Sequence, residues 1–485
     1  MSLQCQSSKK LLINEAQIRF PKNGVSCLSS EEFLSWYKKP EPYVVESEKP
    51  VEPGGTKAAP WCDYAYNEWE IYEKKQIPKW WWKFEPPTWS EEEQLFMERI
   101  MLKMHENIAK EKMTPMDRYW STAYGIERDR SPVIGGNYCL ATTASRMLDA
   151  FGVVIRPVDL HRYPKMHLIA ASLGSARFTT DIIFIYKITY GEAEYGGHVY
   201  AKLSSAPVCK SGGAQETGFL PKDIPFRTAP FLSFKMPDPK SGALAIQLWQ
   251  LGTIKEYLRK GGLWGIQPLM ANTCVGPKAT AGSALGPTLG IREIGIIYKR
   301  RPEWAHAMVR EALKFCIAHN RMVRDGGADI VFFCDGLNTM SPAATADLVA
   351  PYHAELCKQV HYPPGGHMVT AGDISRHIDI LCQAHGKYAY IIGTDHVYDI
   401  KQNVQKAVEY DKMWFNFSDW DVIKAGPKER IDAYEKGRYT IAQSDPKSKY
   451  YNPGPADYWI SLENYDAWVQ ACKKYGSYPK GWEQP

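Results

Sequence analysis

The chain carries no CxxC pair, no apolar run of about 18 residues and no cluster of lysines and arginines, and each absence removes a class of protein. Its 11 cysteines are scattered from Cys5 to Cys472, so neither a zinc ribbon nor a dithiol redox pair is written in the sequence. No apolar core follows Met1, so the N-terminus does not read as a secretory leader, and the cytoplasm with its reduced thiols is the expected location. The lack of a long apolar run argues against a transmembrane helix. A formal charge of +5 spread over 485 residues speaks against nucleic acid or an anionic membrane as partner, because both need clustered cations. The Gly-rich run ending at Gly290 has neither GxGxxG nor GxxxxGK spacing and therefore reads as a long loop rather than a phosphate cradle.

What is present is alternation. The segment Gly326-Gly-Ala-Asp-Ile-Val-Phe-Phe-Cys-Asp335 is apolar on both faces and stops at an acid, the pattern of a buried parallel strand. Ser341 can cap the helix that follows, and Pro342 fits its first turn, where a missing N–H costs nothing. The segments from His367 to Asp373 and from Tyr388 to Asp395 repeat the plan, so each βα unit has an acid at or just after a strand end. Acids so placed are better candidates for chemistry than acids on helices, because in parallel barrels the loops after the strands build the site.

Upstream, Ser90-Glu-Glu-Glu93 has the form of a capping box and predicts a helix over about 91–111. Thr114 and Pro115 open a second helix, and Pro132-Val-Ile-Gly-Gly136 reads as the first core strand. A helix over 142–151, a strand at Asp181-Ile-Ile-Phe-Ile185 and a polar segment at 190–225 follow. Helices near 243–260 and 303–324 flank an expected strand from Trp264 to Met270. The strand-like Met413-Trp-Phe-Asn-Phe417 precedes Asp419, and a last helix spans Leu462 to Tyr475. Residues 1–110 form an irregular extension with its leading helix, rich in proline and in tryptophan at Trp61, Trp80-Trp81-Trp82 and Trp89; residues 111–485 form the main body. So much indole surface has to be buried, and the reading is an aromatic strap on the body or on a second subunit, which leaves a homodimer open, with a substrate lid or a surface facing a partner's cofactor as the alternative.

The segments Met113-Thr-Pro-Met-Asp-Arg118, Asp129-Arg130-Ser-Pro-Val133, Ser341-Pro342 with Leu348-Val-Ala-Pro-Tyr352, and Tyr390-Ile-Ile-Gly-Thr-Asp395 resemble, in order and spacing, the uroporphyrinogen decarboxylase superfamily in its corrinoid-dependent methyltransferase branch. The resemblance covers residues 112–475. It implies an α/β fold, a (β/α)8 TIM-type barrel with its site at the C-terminal ends of the strands. It also implies corrinoid (cobalamin) chemistry. The motif Asp-x-His-x-x-Gly of corrinoid domains is missing, since Asp395-His396 has the wrong spacing, so the corrinoid would ride on a separate corrinoid protein.

Two departures shape the expected activity. Thiol-alkylating members of that branch hold zinc with His-x-Cys before a Gly-Asp or Gly-Asn and with a cysteine near the C-terminus. Here Val369-Thr-Ala371 precedes Gly372-Asp373, and Asn452-Pro-Gly-Pro455 has proline at the later place, so the usual zinc site is not expected. The decarboxylase members grip their substrate with an Arg-rich motif, and this chain has Gly136-Asn137-Tyr138-Cys139 there. The expectation is therefore transfer of a methyl group from a small methylated substrate, a methoxylated aromatic first, to the Co(I) of the corrinoid partner. Alternatives are methyl transfer from the corrinoid to a thiol or folate with displaced metal ligands, and a decarboxylase-like or non-catalytic ligand-binding barrel.

For the demethylation, Asp335, Asp395 and His396 are the candidate catalytic groups, able to polarise or protonate the departing oxygen. Asn137, Tyr138, Asn272, Asn338, His367, Asp373 and Asp419 are candidate substrate-binding or orienting groups, each with helix capping or core packing as the plainer role. Trp264, Tyr398 and Trp420 join Tyr138 as candidates for an apolar slot.

Overall fold

The computed structural model describes residues 71–72, 84–134, 164–185, 189–195, 198–203, 233–234, 239–240, 242–283, 291–337, 340–360, 366–371, 375–386, 391–394, 399–454 and 460–477. In chain order they form β1 (Ile71–Tyr72), α1 (Glu91–Ile108), α2 (Pro115–Tyr124), α3 (Pro164–Phe178), β2 (Ile183–Ile185), β3 (Thr189–Tyr195), β4 (His198–Leu203), β5 (Ser233–Phe234), α4 (Gly242–Lys260) and β6 (Leu269–Val275). Then come α5 (Pro277–Ser283), α6 (Ile291–Arg300), α7 (Pro302–Asp325), β7 (Ile330–Gly336), α8 (Pro342–Leu348), α9 (Ala350–Val360), β8 (Gly366–Ala371), α10 (Ile378–His385) and β9 (Ile391–Thr394). The chain continues with α11 (Ile400–Glu409), β10 (Met413–Asn416), α12 (Trp420–Ala425), α13 (Lys428–Ala442), β11 (Lys449–Tyr451) and α14 (Leu462–Gly476).

The caps are those the sequence announces. Ser90 accepts from the Glu93 N–H at 3.2 Å while its own N–H donates to the Glu93 carboxylate at 2.9 Å, and two orphan donors of the first turn are satisfied at once. Thr114 and Ser341 accept from the N–H groups of Asp117 and Ala344, each followed by proline at the first helical position. Gly125 ends α2 in the left-handed region at φ 68°, a conformation that costs a side chain dearly.

Seven parallel strands stand in the order β11-β10-β9-β8-β7-β6-β2. The ring is closed by a segment too short to count as a strand. Asn452, just past β11, donates its N–H to the Pro132 carbonyl and accepts from Ile134, both at 2.9 Å; on the other side the Asp181 N–H, just before β2, donates to the Val133 carbonyl at 2.8 Å. Val133 thus supplies the eighth stave of a parallel (β/α)8 barrel. Of the expected strand beginning at Pro132, the described residues 132–134 form this rung; residues from 135, and the expected helix 142–151, lie outside those described.

One expectation is corrected. The strand read as beginning at Trp264 begins at Leu269, because Gly262 (φ 67°) and Gly265 (φ 75°) turn the chain left-handed. Trp264 therefore lies in a turn, 41% exposed, with Lys255 and Arg259 over its ring at 4.6 Å each. The polar segment at 190–225 begins as the antiparallel pair β3 and β4, which belongs to a second sheet ordered β1-β4-β3-β5. In it β1, from the N-terminal region, pairs with β4 (Ile71 with Lys202), and β3 lies against β6 and α5. Since this sheet follows β2 and meets the end of β6, it sits at the C-terminal end of the barrel, where the loops of such barrels build the site.

Helix α1 buries Phe96, Met97, Ile100, Met101 and Met104 in the same core as the barrel. Just before it, Trp89 stacks on Trp249 of α4 at 6.3 Å and meets Tyr257 edge-on at 5.6 Å, so residues 84–90 run as a strap over α4.

At the opposite, N-terminal end of the barrel lies a buried charge cluster. Arg118 and Arg130 share the Asp181 carboxylate at 2.5 and 2.7 Å, and the same carboxylate accepts from the Val133 N–H at 2.7 Å. Arg118 also holds Asp129 through two bonds of 2.7 Å, and Glu111 bridges Arg118 (3.0 Å) to Lys473 of α14 (2.9 Å). Burial would raise the Asp181 carboxyl, but Arg130 and Arg118 outweigh it and hold it at about 2. The folded value lies below the unfolded one, so this carboxylate contributes stability above about pH 4 that is lost as pH falls toward 2, roughly 2 kcal/mol in all. Asp181→Asn takes from two buried guanidinium groups the carboxylate they share. Thermal or urea unfolding is expected to show a loss of about 3–5 kcal/mol, with a weaker acid dependence below pH 4 than the parent chain.

Candidate functional site

Strand alternation decides which residues of β7 can meet a substrate. Phe333 and Asp335 stand on one face of the pleat, and the Phe333 ring meets His353 of α9 edge-on at 5.5 Å. That face is turned to the surrounding helices, and the other looks into the barrel. Asp335 is thus directed behind the barrel wall, which corrects the expectation of a strand-end acid open to substrate. The cause is register: an acid on the helix-facing side of a parallel strand has to find partners in the helix layer.

It finds them. Asp335 is fully buried, with Oδ2 3.0 Å from His353 Nε2 and Oδ1 3.4 Å from the Nζ of Lys278 in α5, itself 1% exposed. The second contact is long for a hydrogen bond, yet at this burial it is an ion pair. His353 Nδ1 lies 3.3 Å from His385 Nε2 of α10, and the two rings stack at 24°. His385 is held well below the ordinary imidazole range by burial, by His353 and by Lys412. A chain Lys278, Asp335, His353, His385 therefore runs from the C-terminal ends of β6 and β7 into the helix layer.

The turn after β6 is shaped around that carboxylate. A Cβ placed on Gly276 would stand 2.5 Å from Asp335 Oδ2, so only glycine lets the backbone lie there. Immediately before it the pairing of β6 with β7 shifts register between Asn272 and Val275, an irregularity of the kind that re-aims side chains at barrel rims.

The other sequence candidates separate into three groups. Asn272 and His367 lie within described strands and share one line of register, Asn272 opposite Phe332 and Phe332 opposite His367. Asp419 caps α12, accepting from the Asp421 N–H at 2.9 Å, and its own N–H donates to the Tyr434 hydroxyl. Asn137, Tyr138, Asn338, Asp373, Asp395, His396 and Tyr398 fall outside the described residues. Asp373 stands two positions past the last residue of β8, and Asp395 directly follows β9.

A second buried polar group backs β10 and β11. Arg438 of α13 pairs with Glu435 at 3.0 Å and donates to the Tyr450 hydroxyl at 2.8 Å, while Ser418 donates to Glu435 and accepts from Trp468 Nε1 at 2.8 Å. These contacts bind α13 and α14 to the barrel wall. Among the described residues no three His, Cys, Asp or Glu side chains gather as a metal site requires.

Sequence reading missed Lys278, His353 and His385. The Gly276-Pro277-Lys278 turn after a strand was a usable signal for the first; nothing in spacing joins His353 to His385.

A family model for uroporphyrinogen decarboxylase matches residues 225–475, just over half of the chain. The chain belongs to the uroporphyrinogen decarboxylase family. Its neighbours fall in the methyltransferase branch of that superfamily. A curated relative, a methylated-thiol–coenzyme M methyltransferase of Methanosarcina mazei, is 25% identical over 228 residues, which are 46% of this chain. The match spans 57% of the relative's length. A solved methyltransferase structure from Methanosarcina mazei superposes with a TM-score of 0.54 at 14% identity, over 75% of this chain and 99% of that one, and at this identity it shows the fold alone. The matched region begins ahead of β5 and contains the whole Lys278 to His385 chain, whereas the Arg118, Arg130 and Asp181 cluster precedes it.

Gly276→Ala pushes a methyl group into a carboxylate that has no room to withdraw. The variant is expected to lose about 1–3 kcal/mol in a thermal or urea melt, and an unchanged melting curve would refute the seating of Asp335 under the β6 turn.

Proposed function

We propose that this barrel is a methyltransferase that takes a methyl group from a small methylated compound, a methoxylated aromatic in the first instance, and passes it to the Co(I) of a corrinoid carried by a separate protein. The observation that carries this reading is the end of β8. The strand finishes in Val369-Thr370-Ala371, and valine and alanine stand at the two positions where, by the resemblance, thiol-alkylating members hold zinc. Neither side chain is a ligand. A half-reaction whose nucleophile is Co(I) needs no metal-activated thiol, so these residues suit demethylation better than alkylation of a thiol.

The reduced corrinoid supplies the nucleophile. The protein's tasks are then to hold the methyl carbon in line with the attack and to neutralise the oxygen that leaves with the C–O electron pair. A donor within hydrogen-bond reach of that oxygen lowers the barrier by delivering a proton as the phenolate forms. Asp395 and His396 follow β9 directly and Asp373 follows β8, so this reading assigns them the donor and polarising roles. Asn272 and His367, in register across β6, β7 and β8, are assigned to orient the substrate. Asp335 serves from behind the wall, and Asp419 holds α12. The corrinoid partner has to approach at the C-terminal end of the barrel, beside the β1-β4-β3-β5 sheet.

The likeness to a methylated-thiol–coenzyme M methyltransferase favours a second reading, in which the methyl carrier is a thiol and metal ligands are displaced to other residues. One experiment separates the two. The purified chain is assayed for bound zinc and for consumption of Co(I) corrinoid protein with methoxyaromatics, methylamines and methylthiols. Consumption with aryl ethers in a chain free of zinc supports the demethylase; stoichiometric zinc with turnover of methylthiols alone replaces it by the thiol reading.

A further inference from the structure

The chain Lys278, Asp335, His353, His385 has a direction. Lys278 balances the charge of Asp335, so the carboxylate takes a hydrogen bond from His353 Nε2–H at 3.0 Å and leaves His353 Nδ1 as an acceptor. His385, 3.3 Å away, then has to present Nε2–H to it. This arrangement gives both contacts a donor and an acceptor, and leaves His385 Nδ1, which has no hydrogen-bond partner among the described residues, as a bare lone pair rather than a buried orphan N–H. All four side chains are at most 1% exposed and so are closed to bulk water.

We propose that Asp335 is a positioning residue: fixed by this directed His385 to His353 to Asp335 chain and paired with Lys278, it clamps the first turn of α5 to β7 and so sets the irregular end of β6, from Asn272 to Val275, at the mouth of the barrel. The clamp begins directly after the register shift, with Gly276 pressed against the carboxylate and Lys278 two residues on. Release of either end frees the strand end that carries Asn272. Displacements of an ångström at such a rim cost about a hundredfold in rate.

The effect on catalysis rests on the methyltransferase reading; the clamp itself does not. Asparagine at 335 turns its oxygen to the Lys278 cation and offers its NH2 to His353. His353 is then forced to carry its proton on Nδ1, against the N–H of His385. In Lys278→Met/Asp335→Asn no cation competes, the amide oxygen turns to His353, and the original tautomers return.

The test uses the full-length chain with 15N-labelled histidine. Parent protein is expected to show Nε2–H tautomers at His353 and His385. Asp335→Asn is expected to move His353 to Nδ1–H, to lower the melting temperature and to reduce turnover by about tenfold to a hundredfold with KM little changed. The double variant is expected to restore the tautomers and to recover most of the melting temperature and turnover. Nδ1–H at His353 in the parent overturns the proposal, as does a double variant whose tautomers and stability return while turnover does not, since the carboxylate is then chemical. Tautomers and melting curves as stated in a chain with no methyl transfer to corrinoid overturn the methyltransferase reading and leave the clamp standing.

Discussion

The Asp181 carboxylate is the point on which the closed barrel depends. It sits just before β2, takes one guanidinium from α2 and another from the strand-forming segment 130–134, and also accepts the N–H of Val133. Val133 is the rung that joins β2 to the far edge of the sheet. A single hydrogen-bonded rung is a weak closure, and two buried guanidinium groups with the half-buried Lys473, balanced by three carboxylates, are what hold it in register. In a buried cluster the balance matters more than any single pair, because a partnerless charge in the core costs more than the pair contributes.

This changes what the opening motifs mean. Met113-Thr-Pro-Met-Asp-Arg118 and Asp129-Arg130-Ser-Pro-Val133 look, as a sequence, like an approach to an active site rich in charge. In the fold they are the foot of the barrel, at the N-terminal ends of the strands, where such residues serve stability. Charge at the foot and the carboxylate clamp near the mouth are separate devices, yet both work by neutralising ions inside the wall rather than by exposing them.

The alternating pattern from Gly326 onward was legible because buried parallel strands are short, apolar on both faces and punctuated by caps: β7, β8, β9 and β10 lie where the apolar runs are. What spacing cannot convey is the phase of a strand that is apolar on both sides. Asp335 ends such a run, and no alternation marks whether it faces the lumen or the helices; only the partners His353 and Lys278, from two other elements, decide it. Trp264 was misplaced for a related reason. An apolar run that contains glycines at positive φ is a turn, and the sign of φ is not written in hydropathy. The hairpin of β3 and β4 was hidden by its polar composition, which shows little apolar alternation.

Closure between the beginning and the end of the barrel has a consequence for biosynthesis. Glu111 is bonded to Lys473, Arg130 bridges Ser477, and Ser131 donates to the carbonyl of Gly476, so the ring is tied by residues more than 300 positions apart. Until Asn452, just past β11, has left the ribosome, the Val133 segment lacks its second neighbour and stays an open edge, and that long interval is the period in which a nascent chain is exposed to pairing with another. Chaperone dependence would then be set by the last turn of the ring rather than by the size of its core.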